Sequence, residues 1–264
     1  MSIEERRARF RELHAREGLF LMPNPWDVGS ARLLEALGFE ALATTSAGFA
    51  WSLGKLDQQV TRDELVAHVA AVAGSVSVPL NVDSERCYPD DPGGVAETVR
   101  RLADAGAAGC SIEDYDPVAG RLDDVAIAAE RVAVAAEAKG ELVLTARCEA
   151  HLYGGVDLDD TIARLLAYRA AGADAVYAPG LTDLDQIARV VHEVRAPVNV
   201  LALPAGPRVD RLESVGVRRV SVGSLLAAAA YGALVAGAGE LLEHGTSRYT
   251  EGRVPRDLLE RALR

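Results

Sequence analysis

Eight short apolar runs recur along the chain. Six of them end in polar or acidic residues, and Ala/Leu-rich stretches of helical period follow the runs. The runs are LFLMPN from Leu19, EALATTS from Glu40, VPLNVDSE from Val78, GCSIED from Gly109, ELVLTARCE from Glu141, DAVYAPG from Asp174, PVNVLAL from Pro197 and RRVSVGS from Arg218. The intervening helices give way to strand at LGF, AGAAG, AGAD and VGV. Glycine belongs at such helix ends because it takes the left-handed conformation without steric cost. Eight strands, each followed by a helix, predict an α/β fold of the parallel (β/α)8 TIM-barrel type. An open doubly wound sheet is disfavoured, since no GxGxxG follows the first strand.

No linker or compositional break divides the chain. Residues 1–264 are expected to form a single barrel domain, with an N-terminal helix over 1–18 and a C-terminal helical region over 224–264. The length of 264 residues matches the usual barrel size. Hydrophobic residues make up 49% and aromatic ones only 5%, which favours close-packed helices on a sheet. The net charge is −11, without any basic run, so nucleic acid is not an expected partner. An anionic substrate would need a local positive site. Cys87, Cys110 and Cys148 are odd in number and lack CxxC spacing, which fits a reducing, cytoplasmic compartment. The N-terminus is charged, unlike a signal peptide. SVGSLLAAAAYGALVAGAG is the most apolar stretch, and its small residues read as a packed barrel helix rather than a membrane span.

In such barrels function sits where strands end, and the polar residues gather there. Asn24, Trp26 and Asp27 end the first strand, and Thr44, Thr45, Ser46 and Gly48 the second, with Asp57 in the following loop. Asp83 and Glu85 end the third strand, two residues apart and so on one face if the strand continues. Glu113 ends the neighbouring strand. These three acids would repel one another unless a hard cation such as Mg2+ or Mn2+ neutralised them. Arg147 lies within the fifth strand, where a charge needs a partner. It could clamp a substrate carboxylate or pair with Glu113 or Glu149. Asn199 lies on the seventh strand. His68 and His192 are expected at the surface, and His151 near a strand end. Cys110 and Cys148 read as core residues, and Cys87 as a loop thiol without a function.

From about Leu19 to Ser224 the chain resembles the isocitrate lyase/phosphoenolpyruvate mutase superfamily. The resemblance rests on NPWDVGSARLLEALGFEALATTSAGFAWSLGKLD, PLNVDSERCY, AGAAGCSIEDY, LTARCEA and AGADAVYAPG, in that order. It implies Mg2+ near Asp83, Glu85 and Glu113, with some contacts through water. It implies a carboxylate-binding loop at Ser46, Ala47 and Gly48, a catalytic or metal-water acid at Asp57 and a substrate-binding Arg147. Trp26 and Asn199 join the expected substrate contacts. The resemblance also implies a homotetramer in which the helix from Ser224 packs on a neighbouring subunit. Two departures stand out. The lyases' K-[KR]-C-G-H loop is replaced by EDYDPVAGRLDD, which has no Cys or His, and the mutases' Lys and Asn are missing there too. The usual Gly-Tyr-Gly after the third strand is Cys87-Tyr88-Pro89.

The expected activity is therefore a Mg-dependent lyase on a small 2-oxo or 2-hydroxy carboxylate. It would pass through an enolate by C–C cleavage or decarboxylation, with Tyr88, Tyr115 or a metal-bound water as proton donor. The alternatives are mutase- or phosphonopyruvate hydrolase-type P–C chemistry, and a non-catalytic 2-oxo-acid-binding protein.

Overall fold

The computed structural model describes residues 1–154 and 157–264. Eight parallel strands form the barrel: β1 (Phe20–Met22), β2 (Leu42–Ala43), β3 (Leu80–Val82), β4 (Gly109–Glu113), β7 (Val143–Arg147), β8 (Ala175–Tyr177), β9 (Val198–Leu201) and β10 (Arg219–Ser221). The hydrogen-bonded order is β1-β10-β9-β8-β7-β4-β3-β2, so each strand lies beside its neighbours in sequence and β1 returns to β10. The seam between β1 and β2 is joined by the Ala43 N–H, which donates to the Pro23 carbonyl at 3.1 Å. Asn24 ties the same seam: its Nδ2 donates to Thr44 O, and its Oδ1 accepts the N–H groups of Val222 and Gly223. All eight runs read from the sequence are strands. Gly38, Gly106, Gly172 and Gly216 all have φ between +88° and +105°, as the helix-ending glycines require.

Outside the sheet, α2 (Val28–Ala36), α4 (Arg62–Ser75), α5 (Gly94–Asp104), α6 (Val125–Ala138), α8 (Leu158–Ala170), α9 (Leu184–Val194) and α10 (Val209–Ser214) form the surrounding layer. Their apolar faces and the outward faces of the strands make one continuous core. α1 (Ile3–Ala15) serves differently. Its Phe10 and Leu13 pack with Phe20, Met22, Ala41, Ala43, Ala108 and Val143, closing the barrel at the amino ends of the strands. Arg6 and Arg7 on the same helix donate to the carbonyls of Ala73, Val76, Ala103 and Ala107. They thus satisfy acceptors that helix ends leave open.

Three features differ from the sequence reading. His68 is buried and stacks on Phe49 at 3.7 Å, so it is a core residue and not a surface one. The α4 stripe of Leu65, Val69 and Val72 passes through it. A hairpin of β5 (Tyr115–Asp116) and β6 (Arg121–Leu122) interrupts the path between β4 and α6. The helix from Ser224, α11 (Leu225–His244), does not pack as a barrel helix: Leu234, Val235, Leu241 and Leu242 are exposed, as is Leu21 on β1. By length and composition alone α11 could cross a membrane.

Candidate active site

The cavity at the carboxyl ends of the strands has a volume of about 160 Å3, smaller than a typical drug or cofactor pocket. Arg147 is its centre. Parallel pairing puts Arg147 beside Glu113 on β4 and beside Tyr177 on β8. Its Nη1 meets Asp83 Oδ1 at 2.5 Å, its Nε meets Glu149 Oε1 at 2.7 Å and its Nη2 lies 3.4 Å from Glu113 Oε2. The guanidinium also sits 5.4 Å from the Tyr177 ring centre. So both readings of Arg147 meet here: it is on the cavity wall, and it is already paired with carboxylates.

Asp83 is fixed from two sides. Its N–H donates to Thr44 Oγ1 at 2.9 Å, and its Oδ2 accepts the Ser46 N–H at 3.0 Å. Glu113 Oε1 accepts from Gln58 Nε2 at 3.2 Å. Gln58 takes a left-handed φ of 65° in the loop after α3 (Ser46–Ser52), where Asp57 also sits. Asp57 Oδ1 is buried with no partner among the described residues. Burial and then the Asp83 charge hold the Asp57 carboxyl above its ordinary range. Burial likewise pushes Glu113 well above its ordinary value, against the pull of Arg147. For Glu149, too, burial outweighs the pairing with Arg147 and raises it.

Of the expected site residues, Ser46, Ala47, Asp57, Asp83, Glu113, Arg147 and Asn199 line this cavity, and Trp26, Gly48 and Glu85 do not. The reason for Glu85 is local. β3 ends at Val82, so the strand alternation that would align Asp83 with Glu85 no longer applies. Glu85 has φ 48°, and burial with the charges of Asp83 and Asp57 raises its carboxyl to about 8. Gly48 is required by packing: a Cβ there would come within 2.7 Å of Thr45 Cγ2 and 3.1 Å of both Trp26 Cβ and Ala227 Cβ. Its N–H donates to Thr45 Oγ1 and the Ser46 N–H to Asp83, whereas the Ala47 N–H has no partner among the described residues. Asn199 is occupied as well, donating to Ser221 Oγ and accepting from Arg219 Nε, both at 2.9 Å.

Sequence reasoning missed Glu149 and Gln58 as site residues. Glu149 sits two residues past Arg147, at the end of a run already marked as a strand end. Gln58 gave no signal. The proton-donor candidates also change. Tyr88 Oη donates to Val60 O, and neither Tyr88 nor Tyr115 lines the cavity, while Tyr153 and Tyr177 do. Tyr115 stacks on Tyr153 at 3.6 Å. His151 Nε2 bonds Thr161 Oγ1, away from the cavity wall. Cys87 is buried and its thiol is pushed up to about 12 by burial, so it is inert at neutral pH.

The wall therefore carries four carboxylates, from Asp57, Asp83, Glu113 and Glu149, against one guanidinium at the same level. An all-oxygen donor set with excess negative charge and an orphaned Asp57 Oδ1 suits a hard divalent cation. Among the described residues no three His, Cys, Asp or Glu side chains converge closely enough for direct coordination. Such an ion would keep waters in its shell, as Mg2+ usually does.

Residues 10–242 match the family model described as phosphoenolpyruvate phosphomutase. The chain belongs to this family. An oxaloacetate decarboxylase from Paraburkholderia xenovorans is 34% identical over 211 residues, covering 75% of this chain and 69% of the relative. A Mycobacterium tuberculosis protein without an assigned activity is 37% identical over 240 residues, covering 88% and 90%. Among solved structures, oxaloacetate acetylhydrolase bound to oxalate superposes with a TM-score of 0.86 at 26% identity, covering 97% of this chain and 93% of that one. The phosphomutase family and its lyase relatives are enzymes of one superfamily, and this chain is an enzyme of the same lyase/mutase type. The segment EDYDPVAGRLDD contains the β5–β6 hairpin. It is pinned by Asp116 and Asp123, which both pair with Arg86, while Asp123 also pairs with Arg131.

Proposed function

We propose that the protein is a divalent-metal-dependent lyase acting on a small 2-oxo or 2-hydroxy carboxylate, by decarboxylation or C–C cleavage through an enolate. The observation that carries this reading is the convergence of Asp83, Glu113 and Glu149 on Arg147, beside an Ala47 N–H that has no partner among the described residues, in a small cavity. Asp83 and Glu113 would hold the cation, with Asp57 and Glu85 reaching it through water. Mg2+ is the ion we favour, with Mn2+ as its substitute. When bound, it would stabilise negative charge developing on the substrate's 2-oxo oxygen.

The rest of the work falls to this chain. With Asp83 and Glu113 holding a cation, Arg147 would have donors free to orient a substrate carboxylate. The Ala47 N–H offers a second donor to that carboxylate. Tyr153, stacked on Tyr115, lines the cavity and would limit water there. The carbon released as a carbanion needs a proton, and the Tyr153 and Tyr177 phenols hold theirs firmly because burial raises both.

The exposed apolar side chains of α11 and the uncovered Leu21 support assembly with further copies, which we take to be a tetramer. Three buried, unpaired cysteines support a cytoplasmic setting.

The test is a magnesium-supplemented screen of 2-oxo, 2-hydroxy and phosphono carboxylates, with Asp83→Ala as control. Turnover of an oxo- or hydroxy-acid, lost in the variant, supports the proposal. Turnover of phosphonopyruvate alone would replace it with P–C chemistry. Tight binding without turnover across the panel would replace it with a binding role.

A further inference from the structure

Glu113 and Asp114 are consecutive at the end of β4, so their side chains leave on opposite faces. Glu113 lines the cavity, and Asp114 points back toward the helical layer, where it is 1% exposed. A carboxylate buried that deeply needs donors, and α8 supplies two. Tyr168 Oη donates to Asp114 Oδ2 at 2.6 Å, and Arg164 Nη1 donates to the same oxygen at 3.3 Å. These two residues are four apart on the helix and so share a face.

The other oxygen of Asp114 is spent on the site. Its Oδ1 accepts the Glu149 N–H at 2.9 Å. β7 ends at Arg147, so the sheet no longer holds Glu149, and Asp114 is the one acceptor for that N–H among the described residues. Losing it would leave a buried backbone donor unpaired. Two parts of the cavity hang from Glu149. Its carboxylate accepts from Arg147 Nε at 2.7 Å. With Nε fixed there, the planar guanidinium turns its Nη groups toward Asp83 and Glu113. Its carbonyl accepts the Leu152 and Tyr153 N–H groups at 3.0 and 3.1 Å. That starts the short helix α7 (Ala150–Tyr153), which brings Tyr153 to the cavity wall.

We propose that Asp114, held by Tyr168 and Arg164, is a positioning residue that aims Arg147 at the substrate carboxylate through Glu149. The inference rests on the carboxylate-lyase reading and adds to it the support that keeps Arg147 oriented. With Asp83 and Glu113 holding a cation, Glu149 would be the remaining one of the three acids on the guanidinium. Its placement would then set the direction of the free donors.

Calorimetric binding of pyruvate, in the presence of magnesium, tests this without requiring turnover. Asp114→Ala should weaken pyruvate by about tenfold or more, the scale of one charged hydrogen bond. Asp114→Asn keeps an acceptor oxygen for the Glu149 N–H and should recover part of the loss. Tyr168→Phe removes one support of Asp114 with little change of shape, and it should weaken pyruvate less than Asp114→Ala does. In a Glu149→Ala background Asp114→Ala should add little further loss, whereas a merely structural role would add its full cost again. Unchanged affinity in folded Asp114→Ala would overturn the positioning role, and so would a loss just as large in the Glu149→Ala background. Where Asp114→Ala does not fold, Tyr168→Phe is read by the same two criteria. A wild type that does not bind pyruvate would overturn it as well. The lyase reading fails separately, when wild type turns over no carboxylate although pyruvate binding follows this pattern.

Discussion

At the carboxyl ends of the strands, four carboxylates and Arg147 crowd one cavity, whereas at the amino ends Phe10 and Leu13 close the barrel with hydrocarbon. Both ends bury ionisable groups, but by different means. The lower end keeps His14 neutral between a carbonyl and Arg219. The upper end leaves charge unsatisfied, with Asp57 Oδ1 orphaned and Glu113, Glu149 and Glu85 all raised by burial. The amino end is closed by hydrocarbon packing. The other becomes stable when something binds, since a ligand that prefers the folded state stabilises it by mass action.

The sharpest way to break this contrast is to mutate each end and read both stability and activity. Phe10→Ala should cost about 3–5 kcal/mol of unfolding free energy, the range for deleting a core aromatic. In chemical denaturation with turnover measured in parallel, KM of the folded fraction should stay unchanged. Asp83→Ala should do the reverse, lowering kcat/KM by roughly 100- to 1,000-fold, the scale of losing one preorganised electrostatic group. Its stability in chelator should be equal to or above that of wild type, because it removes repulsion. A loss of stability there would mean that Asp83 holds the fold through Arg147.

The two ends should also titrate in opposite directions. His14 drops from 6.5 to about 3 in the folded chain, through burial first and then the Arg219 charge. The unfolded chain binds that proton more readily, so stability is lost as pH falls from 6.5 toward 3. Glu85 rises from 4.5 to about 8, so the folded chain keeps a proton that the unfolded one releases. Stability is therefore lost as pH rises from 4.5 toward 8. Each slope can reach about 1.4 kcal/mol per pH unit. Denaturation across pH in chelator should show His14→Gln flattening the acid limb and Glu85→Gln the alkaline limb. The smallest effect expected is for Tyr115→Ala, which loses a stacking contact of about 0.5–1.5 kcal/mol and should change KM little more.

The barrel was legible because six of the eight strand runs end in polar or acidic residues and four helices end at glycines that take positive φ. Arg147 and Glu113 were legible for a related reason: a charge inside an apolar run has to meet a partner, and strand pairing supplied it. The expectation that Glu85 shares a strand face with Asp83 fails because the strand ends at Val82 and Glu85 takes a left-handed φ. Gly48 looked like a ligand-binding turn, and only the packing of Trp26 and Ala227 against it shows another reason for glycine. The Asp114 link was hidden for a different reason. Asp114, Glu149 and Tyr168 lie on different elements, and no local pattern says that they meet behind the cavity wall.

The central claim is that the acids around Arg147 form a cation-binding centre. Calorimetric titration of magnesium into chelator-stripped protein tests it most directly. The account predicts one ion per chain in wild type, with binding weakened at least about 100-fold in Asp83→Ala, within the range for removing a buried charged partner. Equal magnesium binding by the two proteins, or none by either in the presence of a 2-oxo acid, would contradict it.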